Sequence, residues 1–294
     1  MYKIFHKADY LELNSLKDKS KAKIHLNQGA SMQELTLNNH ELIKDMHPLT
    51  YDNTYASSIL FPFANRIKDG RYNFEGKTYQ FDVNEKELNN ALHGLVYNKI
   101  FELISQETCE EFASVTLIYN EVKTTLGFPY TYSIKLDYIL TQSGLELNVE
   151  IKNTGAKTFP FNIGWHPYFL SSNLYDSHID FSSNKKIVLD ERNITTGVND
   201  FEKNGNFEIL DKFLDDCFVL NSSEVTFYTP KYTFRLTPSE QNSFLQLYTP
   251  PHKNTIAIEP TTGVSDSFNN GIGLKTLQPN ETYTINWNLK INDN

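Results

Sequence analysis

The chain has 294 residues, 39% hydrophobic and 13% aromatic, which suits a folded protein with a large core and not a disordered one. A formal net charge of −9 argues against a nucleic-acid binder, which needs a basic footprint, and disfavours attraction to anionic membranes. Two cysteines, Cys109 and Cys217, cannot build a disulfide framework, and no run approaches the roughly 20 apolar residues of a membrane span.

Taken in chain order, the first segment, "MYKIFHKADYLELNSLKDK", scatters charges and lacks the apolar core of a signal peptide. A cytoplasmic protein is expected, and the sequons at Asn193, Asn221 and Asn280 carry no weight. Residues 51–60, "YDNTYASSIL", predict one helical turn or a short helix. "GRYNFEGKTYQF" reads as a short hairpin punctuated by Gly70 and Gly76. From "ASVTLIYNE" and "TYSIKLDYIL" onward the period is two. In "GLELNVEIKN" the residues Leu145, Leu147, Val149 and Ile151 point one way, and Glu146, Asn148, Glu150 and Lys152 the other. Asp215 to Phe218 reads as an irregular stretch between strands. "VTFYTPKYTFRL" predicts two strands around a Thr-Pro-Lys turn, and "TYTINWNLKI" alternates again through Tyr283, Ile285, Trp287, Leu289 and Ile291. No linker, composition shift or repeat breaks the chain. The expectation is all-β: one antiparallel β-sandwich domain spanning residues 1–294.

The usual chemical motifs are missing. There is no C-x-x-C pair, and His40 and His47 lack the H-E-x-x-H spacing. "NNGIGLKT" does not match a phosphate loop, and no G-x-S-x-G elbow occurs. What remains is polar residues in apolar settings. "FNIGWHPYFL" holds His166 in an almost unbroken apolar and aromatic run; a hydrogen-bonded core histidine is the plain alternative to a catalyst. "PFANRIKDG" offers Asn65 and Arg66, which could also be a surface loop with a salt bridge. "NNALHGLV" offers His93, followed by Gly94, where a ligand or another backbone could approach closely. "KFLDDCFVL" offers Asp215 and Asp216, either of which could be a turn residue. "NTIAIEPTTG" ends an apolar strand on Glu259, either at a rim or in a pocket.

Together these segments resemble a known family. "NRIKDGRYNFEGKTY", "NALHG", "GWHPYF", "LDDCFV", "LQLYTP" and "IAIEP" are similar, in order and over about residues 24–290, to the landmarks of the galactose mutarotase (aldose 1-epimerase) family. The resemblance implies a β-sandwich of the supersandwich type. It implies Glu259 as general base and His166 as general acid. It implies Asn65, Arg66, His93, Asp215 and Gln246 as contacts to the sugar, with a free aldose such as galactose or glucose as the small-molecule substrate. No metal and no cofactor are implied, and either a monomer or a homodimer is compatible. Three features depart from the best-known family pattern: Leu95 after "HG", Pro167 after His166, and "EPTTGVSDSFNN" after the base. All flank the pocket and bear on sugar preference.

The chemistry explains the residue types. Converting α to β anomers breaks the bond between C1 and the ring oxygen, so one group must take the C1 hydroxyl proton while another protonates the ring oxygen. In a bell-shaped pH profile Glu259 would then set the acidic limb and His166 the basic one. Three alternatives stay open: a hexose-6-phosphate 1-epimerase using Lys68 and Arg71, a non-catalytic carbohydrate-binding protein, and a glycosidase or lyase using Asp215 with Glu259.

Overall fold

The computed structural model describes residues 1–202, 206–241, 243–252 and 254–292. Antiparallel sheets dominate it. A nine-stranded sheet runs in the order Glu102–Thr108, Phe112–Glu121, Tyr132–Thr141, Gly144–Asn153, Thr282–Asn292, Thr233–Pro238, Val225–Tyr228, His178–Phe181, Phe207–Glu208. The alternation read from the sequence is its physical basis. Leu145, Leu147, Val149 and Ile151 are buried, while Glu146, Asn148 and Glu150 reach solvent in part and Lys152 is exposed. The two strands around the turn at 229–232 and the short hairpin of Arg71–Phe74 with Lys77–Gln80 also form where their sequences predict them. Residues 51–54 make a single helical turn.

A second sheet of eight strands packs on the first. Its main path is Thr195–Asp200, Lys185–Leu189, Asp215–Val219, Phe244–Tyr248, Thr255–Thr261, Gly164–Trp165, Ile59–Leu60, and Tyr168–Leu170 pairs with Thr255–Thr261 as well. Trp165 of this sheet stacks on Trp287 of the nine-stranded one, 6.1 Å between ring centroids, and Phe169 meets Phe234 at 4.3 Å. These contacts are the interdigitation expected of two sheets packed face to face. A five-stranded meander, Lys3–His6 through His40–Ile43, adds Leu13, Ile24 and Leu35 to the same core.

One expectation needs correction. Asp215–Val219 is a regular strand between Lys185–Leu189 and Phe244–Tyr248, not an irregular stretch. Cys217 and Phe218 are both buried on opposite faces, so the segment shows no polar alternation for the eye to find.

The open question at Gly94 also resolves. The close neighbour is backbone: Leu95 N–H donates to the Phe61 carbonyl at 2.7 Å, and a β-carbon on Gly94 would lie 2.2 Å from that oxygen. Its φ of +76° adds strain for any other residue. Gly94→Ala should therefore lower unfolding free energy by roughly 2–5 kcal/mol, the sum of backbone strain and steric displacement. Chemical denaturation measures this, and a loss below about 1 kcal/mol would contradict the contact.

Candidate active site

The floor of the site is made by side chains that alternate out of the core. All of Thr255–Thr261 is buried, yet Ile256 and Ile258 enter the main core while Ala257 and Glu259 point to the other face. The same split runs through the neighbours. Leu245 and Leu247 pack inward and Gln246, opposite Glu259 in register, faces out. Trp165 and Phe169 pack inward, and His166 and Tyr168 face out. This explains the histidine in an aromatic run: the run is two faces of a sheet, and only one of them is core. Backbone bonds pin His166 on both sides, its N–H to the Ser58 carbonyl at 3.1 Å and its carbonyl from the Ser57 N–H at 2.8 Å.

Above this floor lies a cavity of about 210 Å³. That is smaller than the roughly 300–1,000 Å³ of drug-sized pockets and suits a single sugar ring. The structure brings all seven sequence-predicted residues to its wall: Asn65, Arg66, His93, His166, Asp215, Gln246 and Glu259. His166 Nδ1 stands 3.5 Å from Glu259 Oε1, and the two residues are 4% and 1% exposed. Neither His166 Nδ1 nor Glu259 Oε2 has a hydrogen-bond partner within the protein. Tyr168 stacks on the His166 ring at 4.8 Å and His93 meets it edge-on at 5.1 Å, so the imidazole is clamped between rings.

The remaining polar groups are held by partners. Gln246 Nε2 donates to Asp215 Oδ1 at 2.7 Å, and Asn193 Nδ2 donates to Asp215 Oδ2 at 3.2 Å. Asp216, one residue on, turns away and pairs with Lys186. Arg66 forms a forked pair with Glu85, Nε to Oε2 at 3.0 Å and the terminal nitrogen to Oε1 at 2.9 Å. Asn90 Nδ2 donates to the same Glu85 at 2.8 Å. Sequence reasoning missed Glu85, Tyr55, Tyr248 and Asn193. Glu85 and Asn193 sit in polar loops with nothing to mark them. Tyr55 had a weak signal, since it ends the short helical turn expected at residues 51–60, where it adopts a left-handed φ of +51° and places its ring 4.9 Å from His93. Lys68 and Arg71, the candidate phosphate contacts, are exposed and do not line the cavity.

Burial controls the charges. It pushes the Glu259 carboxyl well above the usual carboxylate range, and Asp215 nearby pushes it further. It pushes the His166 imidazole down to about 3, with the Arg66 guanidinium adding to the shift. His93 is lowered for the same reason, and then by His166 and Arg66. Burial thus favours the neutral form of each group. Both shifts run against an ionised Glu259 beside a protonated His166. Removing both groups from water disfavours two opposite charges unless hydrogen bonds replace the lost solvent.

The family model for aldose 1-epimerase matches residues 12–290. The chain belongs to the aldose 1-epimerase family. It is 27% identical over 274 residues to the uncharacterized protein YihR of Escherichia coli (strain K12), covering 89% of this chain and 87% of that protein. The galactose mutarotase of Rattus norvegicus is 28% identical over 154 residues, 49% of this chain and 42% of that one. Among solved structures, a galactose mutarotase-like protein from Clostridium acetobutylicum superposes with a TM-score of 0.87 at 22% identity, covering 100% of this chain and 99% of that one. The galactose 1-epimerase from Lactobacillus acidophilus NCFM superposes with a TM-score of 0.81 at 17% identity, covering 100% and 98%. These likenesses establish the galactose mutarotase-like fold of this epimerase-family chain. No helix among the described residues is long and apolar enough to cross a membrane.

The electrostatics of the floor predict a stability effect. Because the folded value of Glu259 is raised, its contribution is full below the unfolded value of about 4.3 and is lost as pH rises toward the folded value. Glu259→Gln removes that loss. The variant should be more stable than the wild type at pH 7, with the gap closing as pH falls toward about 4.3. Denaturant melts at several pH values check this, and a Gln variant that is less stable at pH 7 would contradict the buried, protonated carboxyl.

Proposed function

We propose that the protein is an aldose 1-epimerase, an isomerase that interconverts the α and β anomers of a free aldose such as galactose or glucose. The observation that carries this reading is the Glu259–His166 pair, 3.5 Å apart at the floor of a cavity of single-sugar size. In ring opening Glu259 takes the proton of the C1 hydroxyl as the bond from C1 to the ring oxygen breaks. The electron pair of that bond stays on the ring oxygen, which receives a proton from His166. The open aldehyde turns about the C1–C2 bond and closes on its other face with the roles reversed. No net proton, electron or group is gained.

The cycle needs one proton on the pair. Burial favours that proton on Glu259; to act as base, Glu259 passes it to His166 as the sugar hydroxyls replace lost solvent. Arg66 favours the resulting carboxylate but disfavours the imidazolium, so the sugar hydroxyls and not the guanidinium drive that transfer. Asp215 and Gln246 accept and donate to sugar hydroxyls, Asn65, Arg66 and His93 contact the ring from the opposite wall, and the aromatic faces of Tyr55, Tyr168 and Tyr248 suit its apolar faces. One chain supplies every group, so neither a metal, a cofactor nor a second protomer enters the scheme.

Phosphorylated sugars fit less well. The lining carries one guanidinium, already paired with Glu85, against the carboxyls of Glu85, Asp215 and Glu259. Polarimetry on fresh α-galactose, α-glucose and glucose-6-phosphate tests the reading. Free sugars should show the higher kcat/KM, and Glu259→Gln should cut kcat by about 10²-fold or more. Turnover confined to the phosphorylated sugar, or a Gln variant retaining most of its kcat, would overturn it.

The pH profile follows from the pair. Activity falls on the acid side when a second proton enters, at His166, whose value is lowered to about 3. It falls on the alkaline side when the last proton leaves Glu259, whose value is raised. The acid limb of kcat/KM should thus lie below about 4.3, and the alkaline limb should report the raised carboxyl and not a histidine. A narrow bell bounded by ordinary values of about 4.3 and 6.5 would show that the pair rests as an ion pair.

A further inference from the structure

We infer that Glu85 sets the charge of the substrate: by occupying Arg66 it restricts the cavity to uncharged aldoses and turns away those that carry an anionic group. This inference rests on the reading that the cavity holds an aldose. Glu85 and Arg66 both line the cavity, and each side chain is 16% exposed. Arg66 Nε reaches both carboxylate oxygens, at 3.1 and 3.0 Å, and one terminal nitrogen reaches Oε1 at 2.9 Å. This is the forked edge by which a guanidinium grips a carboxylate or phosphate. The chain fills it with an acid of its own.

The pair is built into the fold and is not a chance meeting of two surface side chains. Glu85 and Asn90 exchange both backbone hydrogen bonds at 3.1 Å, and Asn90 Nδ2 donates to Glu85 Oε2 at 2.8 Å. One residue earlier, Asn84 accepts from the Leu92 N–H at 2.7 Å and donates to the Leu92 carbonyl at 3.0 Å. Leu92 is itself the register partner of Arg66. The loop carrying Glu85 is thus fastened at two points to the strand beside Arg66. The consequence is electrostatic. Uronates and 6-phosphates carry their charge next to the ring oxygen, within the same cavity of about 210 Å³. There an anion faces the carboxyls of Glu85, Asp215 and Glu259, and the guanidinium of the lining is already spent. With little water to screen them, like charges repel strongly. A neutral sugar meets the same wall differently: its hydroxyls donate to carboxylate oxygens, and the terminal nitrogen of Arg66 outside the fork is left for a hydroxyl oxygen.

Galactose and galacturonate form a matched pair that differs only at C6. Polarimetry from the α anomers reads turnover, and calorimetry at anomeric equilibrium reads binding. The wild type should favour galactose by about tenfold or more in kcat/KM and in affinity. Glu85→Gln removes the charge and keeps the shape, and should shrink that preference by about tenfold or more, mainly through KM and affinity for galacturonate. Glu85→Asp keeps the charge and should keep the preference. An amide oxygen cannot serve Arg66 and Asn90 as two carboxylate oxygens do, so Glu85→Ala repeats the measurement should the glutamine disturb the wall. The ratio between the two sugars cancels any loss common to both. A wild type that takes galacturonate as readily as galactose would overturn the inference. So would Gln and Ala variants that lose both sugars in equal proportion, which would leave Glu85 with only the orientation of Arg66. A preference for galactose in binding that disappears in Glu85→Gln, without mutarotation of any sugar, would uphold the role of Glu85 and sink the catalytic reading.

Discussion

The structure turns on one constraint: a carboxyl and an imidazole share a floor from which water is almost excluded. Burial raises Glu259 and lowers His166, so each group favours its neutral form. The stability consequence has a definite sign for both. Glu259 costs stability above its unfolded value of about 4.3, and His166 costs stability below its unfolded value of about 6.5. The two ranges overlap, so the pair is unfavourable at every pH. A folded protein that keeps such a pair needs a large core elsewhere to offset it.

That core is where the aromatic content goes. Phe61 packs against Tyr132, Phe159 and Phe161 at centroid distances of 4.9, 6.2 and 6.0 Å, beneath the strand and loop that carry Asn65 and Arg66. Trp165 on Trp287 and Phe169 on Phe234 anchor the two residues that bracket His166 and Tyr168. The same alternation that seats these rings in the core aims His166 and Tyr168 out of it. Core packing and site geometry are thus one property of the sheet, since slipping a strand by one residue would exchange the two faces.

This coupling decides what could be read from the sequence. Glu259, His166 and His93 stand out because a titratable group in an apolar run is rare without a reason, and the resemblance to aldose 1-epimerases assigned them roles. The long half-buried strands were legible for the opposite reason, their polar faces. Strands buried on both faces hide themselves: Asp215–Val219 carries no alternation and was read as irregular. Glu85 was invisible because its meaning is long-range. It lies 19 residues from Arg66 and joins it only after the loop folds back. Arg192 is a similar case, 102 residues from Asn90, which it holds through Oδ1 at 3.0 Å.

Those long-range contacts make the walls, and they explain how a hydrophobic floor hosts polar chemistry. Arg192 binds the carbonyls of Leu88 and Asn89 at 2.8 and 2.7 Å, fixing the loop that presents Glu85. The next residue, Asn193, holds Asp215. One turn between two strands of the site sheet therefore positions both the partner of Arg66 and the Asp215 carboxylate of the cavity wall. Arg66 in turn is the positive charge that favours ionised Glu259. Its forked bond to Glu85 tempers that field, so the guanidinium lends Glu259 only part of its charge. The proposed epimerisation moves a proton between carboxyl and imidazole in both directions, and the weaker this field, the less it opposes the protonated imidazole that the scheme requires.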